Sequence, residues 1–170
     1  DYSQMLKDEV ALSKEKMKKI DVGPIIQSVV EDYNSINNIK KNITINFKND
    51  GNDNYFIKGI ENRIEQIIAN LLDNSISFSE EGNNILVHVS INTKKEVTIK
   101  ISDEGRGFKE NDTNKIFKRF YSNRPDKFGE HSGLGLNIVK NLVDIHEGKI
   151  FASNREKNNG AEIKINFPST

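Results

Sequence analysis

The 170-residue sequence contains no cysteine and no tryptophan, and it has only three prolines. Without cysteine, the chain can form neither a disulfide bond nor a zinc site with thiolate ligands. Its three histidines, His88, His131 and His146, are too dispersed in the sequence to indicate a metal cluster. These absences exclude disulfide-stabilised scaffolds and cysteine-based zinc sites.

The sequence also lacks an excess of charge of either sign, because 25 basic residues balance 25 acidic ones. A balanced chain gives no global signal for nucleic acid or for an anionic membrane surface. No apolar run approaches the roughly 20 residues that a membrane span needs, and no signal peptide opens the chain. The sequence therefore predicts a soluble cytoplasmic domain with one substantial core. Its start inside a helical pattern predicts a piece of a longer protein.

Apolar periodicity divides the chain into helices and strands. Leu6, Val10, Met17 and Ile20, with Ser13 completing the register, alternate at spacings of four and three, which indicates a helix over residues 2–20. That helix either packs on its own domain or forms the end of a dimerising helix. Three further helices are predicted at 24–36, 60–78 and 133–147, and strands at 41–47, 54–59, 85–91, 97–102, 149–154 and 161–167. Mixed helices and mostly hairpin-linked strands predict an α+β fold, a two-layer sandwich with helices on one face of a mixed sheet.

Three short stretches have the residue types of a nucleotide site. DEGRGF (103–108) follows a strand and combines an acid with Gly105 and Gly107, which suits either a plain turn or a close approach to a ligand. Asn70 and Asn74 stand four apart on one helix face, where they are either solvated or present an oxygen to a cation such as Mg²⁺. GLGL (133–136) opens a helix, whose free N–H groups attract anions. Neither a P-loop nor a dinucleotide-binding GxGxxG pattern is present.

In their order and spacing, these stretches resemble the catalytic ATP-binding domain of sensor histidine kinases, in the superfamily that includes Hsp90, gyrase B and MutL. EQIIANLLDNSISFS resembles the family's N box, DEGRGF its G1 box, IFKRFY its F box and SGLGL its G2 box. Residues 1–20 resemble the end of the dimerisation helix and its junction. Residues 21–170 resemble the catalytic domain, with an ATP lid at about 105–132.

The resemblance implies a role for each matching residue near the metal and the adenine base. Asn74 would be the Mg²⁺ ligand and Asn70 its neighbour on the phosphate side. Asp103 would accept the adenine amino hydrogen, and Phe78 would line the adenine side. Gly105 and Gly107 would let the chain pass flat against the nucleotide and hinge the lid.

The resemblance also implies how the triphosphate is held. Arg119 would meet it from the lid, and together with Asn70 and Asn74 would act in catalysis. Gly133, Leu134, Gly135 and Leu136 would hold the phosphates with backbone amides. The sequence departs from the family pattern at Ser77, where a basic residue is common, at Ala161, where a hydroxyl is common, and at Glu147, where glycine is frequent.

The resemblance implies a histidine kinase that binds Mg-ATP and donates its γ-phosphate to a histidine on a dimerisation helix. The expected partners are the dimerisation helices of the same parent protein and a response regulator, with a homodimeric parent anchored in the plasma membrane. An ATP-hydrolysing domain of the Hsp90 or MutL type is the alternative enzyme, but Asn70 stands where the Hsp90 type has a glutamate that activates water. A degenerate nucleotide-binding interaction module is the third interpretation.

Overall fold

Five strands form a mixed sheet that carries three helices on one face. The computed structural model describes residues 17–36, 42–51, 54–108, 113–117, 134–155 and 159–170. The strands are β1 Lys18–Asp21, β2 Thr44–Asn49, β3 Phe56–Gly59, β4 Asn84–Ile91, β5 Val97–Asp103, β6 Lys149–Asn154 and β7 Ala161–Phe167. The strand order in the five-stranded sheet is β2-β4-β5-β7-β6. The helices are α1 Val22–Ile36, α2 Glu61–Phe78 and α3 Leu134–Ile145, with a 3₁₀ helix at Thr113–Phe117.

The two faces of the sheet differ in burial because side chains alternate along each strand. On β4, Ile85, Val87 and Val89 are fully buried, whereas Leu86 and His88 between them are more exposed. The pairing of β2 with β4 is parallel, and the other pairs in this sheet are antiparallel. The predicted two-layer α+β sandwich with a mixed sheet is confirmed.

The helices cover the apolar face, and α2 lies between α1 and α3. A continuous stripe of α2 is buried, which the 3.6-residue period of its apolar side chains predicts. The stripe consists of Ile64, Ile67, Ile68, Leu71 and Leu72. Tyr33 of α1 fixes the neighbouring helix through its hydroxyl group, which lies 3.0 Å from the carbonyl of Ala69 and 2.9 Å from the carboxylate of Asp73.

Two predicted helices have the wrong C-terminal end, and α1 begins at Val22, two residues before its predicted start. The helical pattern read over residues 2–20 does not continue to its last residues, since Lys18–Asp21 is a strand that pairs antiparallel with β3 and turns Ile20 inward. Residues 1–16 lie outside the described part of the chain. The last helix ends at Ile145, not at residue 147, because Glu147 adopts a φ of 59° that stops the helix. The chain then enters β6 through Gly148.

The C-terminal residues return to β3 on the side away from β1. Ser169 forms a bridge with Ile57, and the amide of Thr170 donates to the carbonyl of Phe56 at 2.9 Å. The strand β3 therefore has a hydrogen-bonded neighbour on both sides, and it leads through Ile60 directly into α2.

Candidate functional site

The carboxylate of Asp103 lies at the end of β5, beneath α2, and only 2% of the residue is exposed. Its Oδ1 accepts hydrogen bonds from the amide of Gly105 at 2.9 Å and from the amide of Ala161 at 3.2 Å. The side chain of Ser75 on α2 donates a third. Three donors from three different segments thus fix one buried carboxyl group.

Burial is the largest influence on this carboxyl group, and it raises the pKa of Asp103 above its usual value. The hydrogen bonds from Gly105, Ala161 and Ser75 and the charge of Arg155 act in the opposite direction and favour the ionised form. A buried acid with such partners at the end of a central strand is typical of a functional site.

Both predicted glycines of the turn face protein atoms. A Cβ on Gly105 would overlap the backbone carbonyl of Phe78 at the end of α2. Gly107 has a φ of 79°, and a Cβ there would lie 2.6 Å from the side-chain oxygen of Asn154. Glycine is therefore required at both positions by the contacts of the turn with α2 and β6, whatever role the resemblance adds.

On α2, the two asparagines have different surroundings. Asn74 is 3% exposed, whereas Asn70, one turn earlier, is half-buried. Glu65, nine positions before Asn74, is exposed. At 100° per residue that spacing places it on the opposite face, so it is not aligned with Asn74 to activate a water molecule.

Phe78 is half-buried at the last turn of α2, and its ring lies 5.3 Å from the guanidinium carbon of Arg106. The ring therefore lies beside the exposed Arg106 of the turn. The nearby Ser77 is buried and donates through its hydroxyl group to the carbonyl of Asn74 at 2.7 Å. The serine that replaces a basic residue therefore bonds within the helix.

The side chains at this site can supply only some of the ligands that Mg²⁺ needs. Within the described residues, no group of three or more acidic, histidine or cysteine side chains could hold a metal ion. Mg²⁺ prefers oxygen ligands and keeps several waters when it bridges to phosphates. The amide oxygen of Asn74 can supply one such ligand, and Asn70 lies one helical turn away.

The structure places the predicted phosphate-binding residues only in part. Leu134 begins α3, Gly135 is its second residue, and Leu136 is buried in the core. Gly133 and Arg119 lie outside the described residues, as does most of the predicted lid. Of the aromatic stretch IFKRFY, Ile116 and Phe117 are described, and both are buried in the hydrophobic core.

Sequence reasoning missed the residues that fix Asp103 and the turn that follows it. Ser75 lies in the stretch that resembles the N box but has no role assigned to it, Asn154 and Arg155 belong to no motif, and Ala161 is distinguished in the sequence only by its missing hydroxyl group. The signal that could have found Ser75 was its position one residue after Asn74, on the face of α2 that turns toward the sheet. The other three are brought to the site by the β6–β7 hairpin.

A separate cavity of about 230 Å³ lies at the other end of α3, away from Asp103. Its lining includes Met17, Lys58, His146, Pro168 and Thr170. His146 is buried there, and its Nε2 accepts from the amide of Ile60 at 3.2 Å while its Nδ1 donates to the carbonyl of Leu142 at 2.8 Å. Burial lowers the pKa of His146, and the bond to Leu142 partly offsets this.

Residues 59–170 match the family described as histidine kinase-, DNA gyrase B-, and HSP90-like ATPase. The sensor protein ChvG of Rhizobium meliloti is 33% identical over 160 residues, which cover 91% of this chain and 28% of that protein. The chain therefore spans little more than a quarter of the length of this relative. In the described residues, no helix is both long and apolar enough to span a membrane.

Solved structures show the same fold. The catalytic domain of the histidine kinase ThkA in a nucleotide-free form has a TM-score of 0.77 at 26% identity, covering 91% of this chain and 96% of that one. ThkA in complex with the response regulator protein TrrA has a TM-score of 0.74 at 25% identity, covering 99% and 47%.

Proposed function

The chain belongs to the family of histidine kinase-, DNA gyrase B- and HSP90-like ATPases, and we propose that it is the catalytic part of a sensor histidine kinase. It binds Mg-ATP and donates the γ-phosphoryl group to a histidine on a dimerisation helix of the same parent protein. The observation that carries this proposal is the buried carboxylate of Asp103 beside α2, at the position where the resemblance assigns recognition of adenine.

Asp103 can read the base because its orientation is fixed. A carboxylate offers about four lone-pair sites, so it can accept the adenine 6-amino hydrogen in addition to the amides of Gly105 and Ala161. Phe78 lies beside the same turn and supplies an aromatic surface for the base. Gly105 keeps α2 and the turn close together, which shapes the floor of the base pocket.

The phosphates would bind at the end of the site away from Asp103. The N-terminus of α3, with Gly133, Leu134, Gly135 and Leu136, offers backbone amides to them. Asn74 supplies an oxygen ligand to Mg²⁺, and Asn70 lies beside it toward the phosphates. When bound there, the metal ion would offset the negative charge of the phosphate oxygens. Arg119, in the predicted lid, adds a positive charge to the triphosphate.

In the transfer step, the bond between the γ-phosphorus and the β–γ bridging oxygen breaks, and a bond from phosphorus to an imidazole nitrogen forms. ADP leaves with the bridging oxygen, and the imidazole loses its proton to the surroundings. The protein contributes positioning and charge stabilisation. A hydrolysing mechanism needs a general base near the γ-phosphate, and Asn70 cannot serve as one at neutral pH.

The parent protein is proposed to be a membrane-anchored homodimer, with this domain in the cytoplasm. ThkA was solved together with a response regulator, which supports a response regulator as the second partner of this chain. The phosphoryl group would then pass from the histidine to that partner.

The test is incubation of the chain with γ-labelled ATP and Mg²⁺, with and without a separately produced dimerisation helix pair of the parent. Label that is stable to base and labile to acid, found on the added helices alone, supports the proposal. Rapid release of phosphate without the helices would favour the hydrolase. ATP binding by calorimetry, with neither label on the added helices nor release of phosphate, would favour the degenerate nucleotide-binding module.

Asn74→Asp provides a matched variant, because it keeps an oxygen ligand but adds a charge beside the phosphates. We expect it to change the Mg²⁺ dependence of ATP binding. Asn62→Asp is the control, since it makes the same change on an exposed position of α2 about 18 Å away along the helix axis. An equal response of the two variants to Mg²⁺ would contradict the metal role of Asn74.

A further inference from the structure

Consecutive residues at the end of β6 hold both ends of the 103–108 turn. Asn154 is bonded to Phe108, where the turn ends, and Arg155 is bonded to Asp103, where it begins. Both partners lie about fifty positions earlier in the sequence, so no local pattern connects them.

At the Phe108 end, the amide side chain of Asn154 makes two hydrogen bonds with one residue. Its Oδ1 accepts from the amide of Phe108 at 2.7 Å, and its Nδ2 donates to the carbonyl of Phe108 at 3.0 Å. This side chain satisfies the donor and acceptor of Phe108 as a neighbouring strand would. Gly107 makes the contact possible, since a Cβ there would lie 2.6 Å from the same oxygen.

At the Asp103 end, Arg155 connects the backbone of the turn to the β6–β7 hairpin. Its Nη1 donates to the carbonyl of Asp103 at 3.2 Å and to the carbonyl of Asn159 at 3.3 Å. The amide of Arg155 also donates to the carbonyl of Gly160 at 2.9 Å. The next residue of the hairpin, Ala161, donates its amide to the Asp103 carboxylate.

We propose that Asn154 and Arg155 are positioning residues that set the selectivity of this site for a 6-aminopurine. They act through the turn: by fixing its two ends, they hold the Asp103 carboxylate where a 6-amino group can donate to it. The proposal rests on the proposed function, because it takes Asp103 as the group that reads the base. The β6–β7 hairpin, which lies outside the sequence motifs, would thus contribute to recognition of the base.

The geometry explains why the hairpin is needed for selectivity and not only for folding. A carboxylate discriminates by hydrogen bonding only while its donor lies within about 3.2 Å and near the acceptor direction. A small shift of Asp103 therefore lowers the affinity for a 6-aminopurine more than the affinity for a purine that lacks the amino group. A general loss of stability would weaken the binding of both ligands equally.

The experiment compares the dissociation constants of ATP and of purine riboside triphosphate, which lacks the 6-amino group, by calorimetry. The main variant is Asn154→Asp, which preserves shape but places an oxygen against the carbonyl of Phe108. Arg155→Gln is the second variant, and it removes the bonds to Asp103 and Asn159 without shortening the side chain to alanine.

Asn92→Asp is the matched control. The side chain of Asn92 closes the β4–β5 turn at the opposite end of the sheet, where its Oδ1 accepts from the amides of Lys94 and Glu96 at 2.9 Å. Its Nδ2 donates to the carboxylate of Glu96 at 3.0 Å, so the change removes a comparable donor. It should affect stability without affecting the preference between the two nucleotides.

We expect the wild-type protein to prefer ATP by about tenfold to a hundredfold, the range that one mispaired buried group produces. Asn154→Asp and Arg155→Gln should each reduce this preference about three- to tenfold, whereas Asn92→Asp leaves it unchanged.

The possible outcomes distinguish the role of Asn154 and Arg155 from the proposed function on which it rests. A wild-type protein that binds both nucleotides equally would show that Asp103 does not read the base, and would overturn the proposed function at that point. A wild-type preference that both hairpin variants retain in full would overturn the role of Asn154 and Arg155 while leaving the proposed function in place. If Asn154→Asp does not fold, the Arg155→Gln ratio alone decides.

Discussion

Replacing Asp103 with asparagine should weaken ATP binding while leaving the fold intact. The new side chain keeps an oxygen for the amides of Gly105 at 2.9 Å and Ala161 at 3.2 Å, so the turn retains both bonds. Its second terminal atom becomes an NH₂ group, which opposes the 6-amino group of adenine. One mispaired donor costs about 1–3 kcal/mol, and this equals about a tenfold to hundredfold loss of affinity.

The same substitution should change stability in a way that depends on pH. Burial raises the pKa of Asp103, so its stabilising contribution is present below the unfolded pKa and is lost as pH rises through the folded one. Asparagine does not titrate, so the variant does not lose stability in this way as pH rises. Its hydrogen bonds to Gly105 and Ala161 are, however, weaker than those of a carboxylate. We therefore expect the variant to stay within about 1 kcal/mol of wild type at pH 7, and its stability relative to wild type should increase with pH.

Calorimetric titration with a non-hydrolysable ATP analogue measures the first effect, and denaturant unfolding at several pH values measures the second. Glu162→Gln is the control, because Glu162 lies on β7 toward the other face of the sheet and accepts from the hydroxyl group of Ser102 at 3.3 Å. Unchanged affinity in a folded Asp103→Asn protein would refute the reasoning, because the base would then be read elsewhere.

Three further predictions concern stability. Burial lowers the pKa of His146 in the folded protein, so the neutral histidine stabilises the fold fully above the unfolded pKa of about 6.5. This stabilisation is lost as pH falls below that value, and the free energy of unfolding then changes by at most about 1.4 kcal/mol per pH unit. Denaturant unfolding should show this slope in wild type and in His88→Gln but a smaller one in His146→Gln, and equal slopes in all three would contradict it. Glu147→Gly should raise the free energy of unfolding by about 0.5–1 kcal/mol, since it relieves a φ of 59°, and a lower melting temperature would count against this. Gly160→Ala should destabilise by about 1–3 kcal/mol more than Gly82→Ala, because both have positive φ but only the first places a Cβ against the carbonyl of another residue; comparable melting temperatures would disprove the difference.

The sequence predicts most of the fold because the regular elements have strong local patterns. The alternation of Val97, Ile99 and Ile101 predicts β5, and the apolar stripe of α2 predicts a helix to within one residue of its start. By contrast, β1 has only four residues, and it is a strand because β3 pairs with it from far along the chain. A local pattern cannot contain that information, and for this reason a helix was predicted through Ile20.

Some residues of the candidate site could likewise be predicted from the sequence, and others could not. Asp103, Asn74 and the glycines of the turn stand in recognisable motifs, and the structure brings Asp103 and the turn against α2. Their roles toward a nucleotide stay predictions. Two of the residues that fix Asp103 could not be predicted, because Arg155 meets it across 52 positions of the chain and Ala161 uses only its backbone. Any residue except proline has a backbone amide that could donate there.

The double pairing of β3 has a mechanical consequence. A pull on Met17 directed along β1 is resisted by the hydrogen bonds between β1 and β3 and by the backbone, which continues from β1 into α1 at Val22. The bridge at Ser169 braces the opposite side of β3. Because β3 continues through Ile60 into α2, and Ile60 is bonded to His146 at the end of α3, the load reaches both helices of the candidate site. The strand β3 therefore links the start of the described chain mechanically to both helices of the candidate site.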